Sequence, residues 1–509
     1  MPPSQRPPVS LVAPAVVVAL VAIAPVIYLV DRAASSGWNV AWREIAQQRT
    51  IDLVARSLTI TVMATILCVV VGVCAAVLVT RTDLRGAKIW RVILALPLAV
   101  PTYLAAYAWV SARPSLAGID GATLVLVACC YPYVFLPVCA ALQRIDRASE
   151  EVARASGRSG LSVIWHITLP QVRTAVASGA LLVALYVLSD FGAVGTMRFE
   201  SFTWVIFGAY NAGFNPSRAA VLSLVLVAIA LGVTLAEMRA RGRSSYRLGA
   251  GASRSGFAFR LGRKQIGATL FLTVVTAVAI GMPVGSLVKW LVRSTGQQTD
   301  WTDLRRAAFN SFTLALIAAL VTLAVAIPAG VLAARHQSVT SRVVERATYV
   351  SHALPGIVIG IAVVHLGIRL LRPLYQRTPL LIAAYVVIFL PLAVGTVRAA
   401  FEQCPPRLEE VARSLGRTRR RALWQVAARL SAPGLAAGTA LTFLAAMKEL
   451  PATLLLHPTG TDTLATRLWT HTSVSDYSGA APYAAALMLL AALPTAVLGW
   501  LSGRLVGDG

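Results

Sequence analysis

The hydrophobic positions of this chain come in long runs, separated by short basic or mixed segments. An α-helix needs about 20 mainly apolar residues to cross the hydrocarbon core of a bilayer, so runs of this length predict membrane-spanning helices. Twelve windows meet this criterion, near 9–30, 57–80, 91–112, 122–143, 175–195, 219–237, 266–289, 311–334, 347–368, 379–400, 434–456 and 482–503. The first window could also be a signal peptide, but its length and the single Arg6 before it favour an uncleaved helix. The pattern predicts an all-α polytopic membrane protein.

Composition and charge support this fold class. Only 13% of the residues are charged and the mean hydropathy is +0.71, whereas a typical soluble domain has roughly 25% charged residues. The net charge of +25 would suggest nucleic acid in a soluble protein, but here the basic residues lie between apolar runs. With the N-terminus inside, the inner segments hold 30 of the 46 Lys and Arg residues. The positive-inside rule then predicts that both termini are cytoplasmic, and we expect no nucleic-acid partner.

The sequence repeats itself once. Ser57-Leu58-Thr59 corresponds to Ser311-Phe312-Thr313 at an offset of 254, and further matches keep that offset: Arg81 with Arg335, Pro101 with Pro355, and Phe135-Leu136-Pro137 with Phe389-Leu390-Pro391. Five extra residues then change the offset to 259. The chain is therefore predicted to consist of two fused, homologous six-helix halves that run in the same direction, 1–238 and 265–509, joined by a basic cytoplasmic linker at 239–264.

One polar stretch occurs in both halves. EEVARASGRSGLSVIWHITLP begins at Glu150, and EEVARSLGRTRRRALWQVAARL begins at Glu409. Neither stretch is apolar enough to span a membrane, and both fall on the predicted cytoplasmic side. Acidic residues followed by glycine and then an apolar face predict two short helices with a break between them. Each stretch therefore predicts an amphipathic structure outside the bilayer.

The first stretch resembles the EAA loop of binding-protein-dependent ABC importer permeases, in its spacing E-x-A-x3-G-x9-I-x-L-P and in its place before the penultimate span. The residues that carry the resemblance are Glu151, Ala153, Gly157, Ile167, Leu169 and Pro170. In the second stretch Glu410, Ala412 and Gly416 match, but Val426, Ala428 and Arg429 stand at the Ile, Leu and Pro positions. The predicted EAA-type loops are 150–170 and 409–433.

The resemblance implies that each loop couples the permease to a cytoplasmic ABC ATPase. Two ATPase copies would dock on loops that include Glu150 and Glu409, and an extracytoplasmic binding protein would deliver the substrate. ATP and Mg would be used by the ATPase, with no cofactor in this chain. An alternative is that both stretches are basic amphipathic helices lying on anionic lipid. The glutamate pair and glycine at fixed spacing in both halves favour docking.

Further segments resemble ferric-iron ABC permeases. They are Ser189-Asp190-Phe191-Gly192-Ala193, the run Lys448 to Leu456, the run Thr463 to Trp469, and Ala480-Ala481-Pro482. The resemblance implies ferric-iron import across a bacterial cell (inner) membrane. Permeases for other small ligands, such as thiosulfate or phosphonate, remain alternatives. A secondary transporter driven by an ion gradient is a third, with mid-membrane charges as its usual feature.

Three charged residues lie inside predicted spans, where ionisable groups are costly and therefore candidates for function. At the 259 offset Asp190 corresponds to Glu449, and Lys448 precedes Glu449. They are predicted to form a gate or a structural network, or to contact the passing ion. We predict no metal site with confidence. No catalytic motif is recognisable, so we expect a transport permease and no enzyme.

Overall fold

The structure is a computed structural model of the chain. It describes residues 7–507 apart from 36, 146–147, 214, 242–258, 295–299, 337, 352–353, 405, 419–420 and 422. Within these ranges the chain is helical and contains no strand beyond one isolated bridge between Thr82 and Phe259. The predicted all-α class is confirmed.

The helices are numbered here in chain order. In the first part of the chain they are α1 (Val9–Ser35), α2 (Trp38–Ala46), α3 (Gln48–Arg81), α4 (Ala87–Ile93), α5 (Thr102–Ala112), α6 (Ile119–Cys130), α7 (Pro132–Arg144), α8 (Ala148–Ala155), α9 (Gly160–Val163), α10 (Leu169–Ser189), α11 (Gly192–Thr196), α12 (Phe202–Asn211) and α13 (Pro216–Arg241). The later helices are α14 (Lys264–Thr276), α15 (Met282–Ser294), α16 (Trp301–Arg335), α17 (Val339–Val350), α18 (Gly356–Arg369), α19 (Thr378–Glu402), α20 (Pro406–Ser414), α21 (Ala428–Met447), α22 (Pro451–Leu456), α23 (Leu464–Ser473) and α24 (Tyr477–Gly507). Segments of π-helix lie at Ile164–Thr168, Ala277–Gly281 and Leu423–Ala427.

Apolar helices occupy all twelve predicted windows. Among the described residues, nine helices are long and apolar enough to cross a membrane, and a tenth span results if a bent pair, Ala87–Ala99 with Thr102–Ala112, is counted as one. The window near 347–368 falls on a shorter apolar helix, Gly356–Arg369, and the window near 482–503 falls on α24, Tyr477–Gly507. The chain is thus a multi-pass membrane protein in which some spans are broken or short.

Proline explains two of the breaks. Pro101 and Pro355 correspond at the 254 offset, and each adopts an extended conformation immediately before a new helix, α5 or α18. The bent pair around Pro101 turns by 90°. Proline lacks an N–H and cannot continue a helix from the preceding turn, so the chain changes direction there.

The contacts divide the chain into two compact units that differ from the predicted contiguous halves. One unit comprises 47–205 and 226–293, and the other comprises 1–46, 206–225 and 294–509. Within the second of these, Ala15 and Ala22 of α1 belong to one buried cluster with Ala326 of α16 and Leu390 of α19. Helix α1 therefore packs with the second repeat, although it precedes the first in sequence. The predicted halves, 1–238 and 265–509, describe where the sequence repeats, and as domains they stay a prediction.

The core of each unit repeats the same three helices. One unit packs α3, α7 and α10 together, and the other packs α16, α19 and α21. Gly179 of α10 lies so close to α7 that a Cβ would come within 2.7 Å of Val134 Cα, and Gly438 of α21 would bring a Cβ within 2.5 Å of Thr396 Oγ1 on α19. Small residues permit such close approach between membrane helices, which accounts for a glycine at both corresponding positions.

Candidate functional site

The first candidate coupling loop separates its two adjacent glutamates. Glu150, in the first turn of α8, is 6% exposed, whereas Glu151 is exposed to solvent. Glu150 Oε1 accepts a hydrogen bond of 2.7 Å from Thr168 Oγ1 and lies 3.4 Å from Arg81 Nη2. Because Arg81 is the last residue of α3, the inward glutamate attaches the loop to the end of a membrane-spanning helix.

The second candidate coupling loop has the same arrangement. Glu409 of α20 pairs with Arg335, the last residue of α16, with 2.5 Å between Oε1 and Nη2, while Glu410 is exposed. The position that corresponds to Thr168 is Ala427, which offers no hydroxyl. Consistent with this missing partner, the side chain of Glu409 is 20% exposed, against 8% for that of Glu150.

The glycine of each loop has a defined backbone role. Gly157 has φ +80° and Gly416 has φ +81°, in the left-handed region that favours glycine. Two hydrogen bonds close the end of α8: the N–H of Gly157 donates to the carbonyl of Arg154 and that of Arg158 donates to the carbonyl of Ala153. The same two bonds recur around Gly416, so both short helices end in a Schellman-type cap.

The segment after each glycine also follows one pattern. Ile167 lies in the π-helix Ile164–Thr168, and α10 begins at Leu169 with Pro170 in its first turn, where proline is tolerated. In the second loop the π-helix Leu423–Ala427 occupies the corresponding positions and α21 begins at Ala428. The departure of the second loop from the Ile-x-Leu-Pro spacing therefore leaves the exit helix in the same geometry.

The outward side of each loop is partly apolar. Beside Glu151, the side chains of Val152 and Trp165 are exposed; beside Glu410, that of Val411 is exposed. Contiguous exposed apolar residues next to charged ones are typical of a surface that binds another protein. The inward glutamate can thus hold the loop while the outward face is available to a partner.

The two candidate membrane carboxylates cap short helices. Asp190 Oδ1 accepts from the N–H groups of Ala193 at 2.9 Å and Val194 at 3.3 Å, and its Oδ2 accepts from Thr102 Oγ1 at 2.6 Å. The first two bonds satisfy N–H groups at the start of α11, which the helix itself cannot satisfy. Asp190 therefore fixes the turn that follows the penultimate span of the first half.

Glu449 does the same before α22, with one compensating change. Its Oε1 accepts from the N–H of Ala452 at 3.1 Å. The residue that corresponds to Thr102 is Gly356, where a Cβ would lie only 2.6 Å from Glu449 Oε1. The longer side chain of Glu449 thus faces Gly356, whereas the shorter side chain of Asp190 faces Thr102. Lys448 is the C-terminal cap residue of α21 and its side chain is half-buried.

Comparison with known proteins identifies the family of the chain. The sequence pattern of the family described as "Binding-protein-dependent transport system inner membrane component" matches residues 68–241 and 326–507. The chain is 33% identical to the Fe(3+)-transport system permease protein FbpB 2 of Haemophilus influenzae, over 97% of this chain and 98% of that protein. This chain belongs to the family of binding-protein-dependent transport system inner membrane components. It is also 27% identical to the putrescine transport system permease protein PotI of Escherichia coli strain K12, over 38% of this chain and 75% of that protein. The probable ABC transporter permease protein y4fN of Sinorhizobium fredii is 24% identical, over 64% of this chain and 61% of that protein.

The two matched regions of this permease contain both candidate coupling loops and both capping carboxylates. The residues that sequence reasoning missed are the partners of these acids. Arg81 and Arg335 mark the repeat, but the sequence alone assigns them no role. The feature that could have identified them is a basic residue at the end of the same span in both halves. Thr102 and Gly356 had no signal, because their relation to the acids depends on packing.

No candidate metal site is found in the part of the permease that the structure describes, where His, Cys, Asp and Glu side chains do not come together in groups of three or more that could hold an ion.

Proposed function

We propose that this permease is the transmembrane subunit of an ATP-driven importer of ferric iron in a bacterial inner membrane. The observation that carries the substrate is the 33% identity, over 97% of the chain, to a permease whose name assigns it to Fe(3+) transport. The observation that supports coupling is the pair of loops in each of which one glutamate is paired with an arginine at the end of a long helix and the next glutamate is exposed. Ferric iron is here the cargo, and the chain itself holds no cofactor.

Two copies of a cytoplasmic ABC ATPase would dock on the outward faces of the loops. Each face combines an exposed acid, Glu151 or Glu410, with exposed apolar side chains such as Val152 and Val411. The acid would pair with a basic residue of the ATPase, and the apolar side chains would be buried in the contact. ATP and Mg would be bound and used by the ATPase.

The ion pairs would carry movement from the ATPase into the membrane. A displaced α8 pulls on Arg81 at the end of α3 through Glu150, and a displaced α20 pulls on Arg335 at the end of α16 through Glu409. Both pairs are largely withdrawn from water, so screening by solvent and salt is weak. Closure of the two ATPase copies would thereby move a long helix in each half.

The substrate would be delivered by an extracytoplasmic binding protein, which would supply most of the selectivity. The termini and both loops would be cytoplasmic, in line with the basic residues of these segments. Asp190 and Glu449 would hold the turns after the penultimate spans, and Lys448 would lie beside Glu449 in the gate that these turns form. Movement of α3 and α16 would open and close the pathway for the substrate.

The test is ATP hydrolysis by the chain and its candidate ATPase in lipid nanodiscs. We expect hydrolysis to rise when the binding protein loaded with ferric iron is added, and to stay basal with the unloaded protein. Stimulation by a binding protein loaded with another ligand would refute ferric iron as the substrate, while the assignment as an ATP-driven importer would stand. Failure of any ATPase to copurify, together with uptake driven by an ion gradient, would favour a secondary transporter.

A charge-reversal variant tests the docking face. In Glu151→Arg with Glu410→Arg, the exposed acids become basic while the inward Glu150 and Glu409 keep their arginine partners. We expect loss of ATPase copurification with an unchanged elution profile of the chain. Asp120→Arg is the matched control, since Asp120 is an exposed acid in the first turn of α6, outside the loops. Equal loss in the control, or full copurification with the double variant, would refute docking at these faces.

A further inference from the structure

The end of the segment that joins the two repeats is ordered against the first coupling loop. The N–H of Phe259 donates to the carbonyl of Arg81 at 2.8 Å, and the N–H of Asp83 donates to the carbonyl of Phe259 at 3.2 Å. The N–H of Leu261 donates to Asp83 Oδ1 at 2.7 Å. Three hydrogen bonds thus fix 259–261 alongside the turn that follows α3.

The ring of Phe259 reaches the loop itself. The guanidinium carbon of Arg154, in the last turn of α8, lies 3.9 Å from the centre of the ring. On the loop's other short helix, a Cβ at Gly160 would come within 2.9 Å of the ring atom Cδ1. A cation over the ring is attracted by its negative face, and the absence of a side chain at residue 160 lets the ring lie against the backbone. The ring therefore contacts both short helices of the loop.

Arg81 joins the three parts. Its side chain pairs with Glu150 of α8, while its carbonyl accepts the N–H of Phe259. The end of α3, the first coupling loop and the segment 259–261 are consequently connected through one residue. Three residues further on, Lys264 begins α14, the first helix of the second repeat.

The glycine that admits the ring is present in the first loop and absent from the second. At the 259 offset, Gly160 corresponds to Arg419, so the second copy carries a long side chain where the first has none. Gly160 is the first residue of α9, and the close approach of Phe259 requires a glycine there. The two loops, alike in their ion pairs, differ in this respect.

We propose that residues Phe259 to Leu261 form a clip that positions the first coupling loop against the end of α3. The clip makes the first loop stiffer than the second and links it directly to the segment leading into the second repeat. Phe259 is a positioning residue in this scheme. Its effect on coupling rests on the proposed function, whereas the restraint on the loop does not.

The restraint can be measured on the isolated chain in nanodiscs by hydrogen–deuterium exchange, without an ATPase. In Phe259→Ala we expect the amides of Asp83 and Leu261 and the peptide 152–163 to exchange about tenfold faster, which corresponds to about 1.4 kcal/mol. The peptide 406–418 of the second loop is the internal reference and should be unchanged. Arg260→Ala is the control variant, because its exposed side chain lies next to the ring in sequence.

A second variant tests the contact from the loop side. Gly160→Ala should displace the ring and raise exchange in the same peptide, and Gly160→Ala with Phe259→Ala should exchange no faster than Phe259→Ala alone. Phe259→Tyr should preserve the wild-type protection. Equal exchange in wild type and Phe259→Ala, or the same change in both loops, would overturn the clip.

The effect of the clip on coupling is measured separately, as the number of ATP molecules hydrolysed per ion transported by the assembled importer. We expect Phe259→Ala to raise this ratio, since a loosened first loop transmits less movement. If Phe259→Ala changes hydrogen–deuterium exchange but not the ATP hydrolysed per ion, the role of the clip in coupling is refuted, while its restraint on the loop stands. If no ATPase associates with the wild-type chain, the proposed function fails while the exchange result still decides the clip.

Discussion

Replacing Arg81 with methionine would leave Glu150 charged in a buried site without its cation. The two side chains are 3% and 8% exposed, so water can replace little of the lost interaction. Removing one partner of a buried ion pair typically costs about 3–5 kcal/mol. We expect Arg81→Met to lower the free energy of unfolding by an amount in this range, and Glu150→Met to do likewise.

The double variant distinguishes an ion pair from two independent contacts. With methionine at both positions no buried charge remains, and replacement of a whole buried pair by apolar residues is often neutral. The Thr168 hydroxyl, which loses its acceptor, can turn to a backbone carbonyl one helical turn earlier. We therefore expect Arg81→Met with Glu150→Met to be destabilised far less than the sum of the single changes.

Two other pairs of the chain provide a graded control. Arg335 and Glu409 are 13% and 20% exposed, and Arg56 and Glu200 are 56% and 54% exposed. Exposed pairs contribute about 0–1 kcal/mol, so the loss on changing arginine to methionine should fall in the order Arg81, Arg335, Arg56.

Unfolding free energies can be measured by titrating the purified chain with a denaturing detergent and following tryptophan fluorescence. A loss for Arg81→Met no larger than that for Arg56→Met would refute the reasoning from burial. Additive losses in the double variant would refute the direct pairing of Arg81 with Glu150.

Three further sites test the caps and one pH-sensitive turn: Asp190, Gly157 and Asp476. Asp190→Glu should overpack the site against Thr102 and cost about 1–3 kcal/mol, while Thr102→Gly combined with Asp190→Glu should recover most of this loss in the same titration. Gly157→Ala should cost about 1–2 kcal/mol because alanine is strained at positive φ, with Gly157→Asn less affected. Burial raises the pKa of Asp476, but hydrogen bonds from a backbone N–H and from Nδ1 of His471 at 2.8 Å outweigh it and lower the pKa below its usual value. The stability from this carboxylate is therefore present above the unfolded-state pKa and lost as pH falls through the folded-state pKa, so Asp476→Asn should flatten the acid limb of a pH–stability profile.

Much of the fold could be predicted because burial in lipid imposes a simple rule on composition. Each apolar window of the sequence coincides with a helix, since every backbone group inside the bilayer must be bonded within its own segment. The prolines at 101 and 355 correspond in the repeat, and the structure places a helix break at both. The repeat located both coupling loops because their glutamates and glycines keep one spacing.

What could not be predicted depends on contacts between distant segments. Helical periodicity does not say which of Glu150 and Glu151 points inward; the position of Arg81, 69 residues earlier, decides it. The packing of α1 with the second repeat is likewise invisible in a pattern that records only apolar runs. Phe259 lies in the predicted basic linker 239–264, and composition could not reveal its hydrogen bonds to the end of α3 and to Asp83.

The π-helical segments at Ile164–Thr168 and Leu423–Ala427 also record the history of the chain. A π turn contains one residue more than an α turn, so each segment holds an extra residue that rotates everything after it by about 100° around the helix axis. The two segments coincide at the 259 offset although their sequences, IWHIT and LWQVA, share only the tryptophan. A single insertion before the duplication explains this coincidence more simply than two insertions at the same position. On this reading, one inserted residue sets the direction in which the exit helix leaves the candidate coupling loop in both halves, whatever side chains surround it.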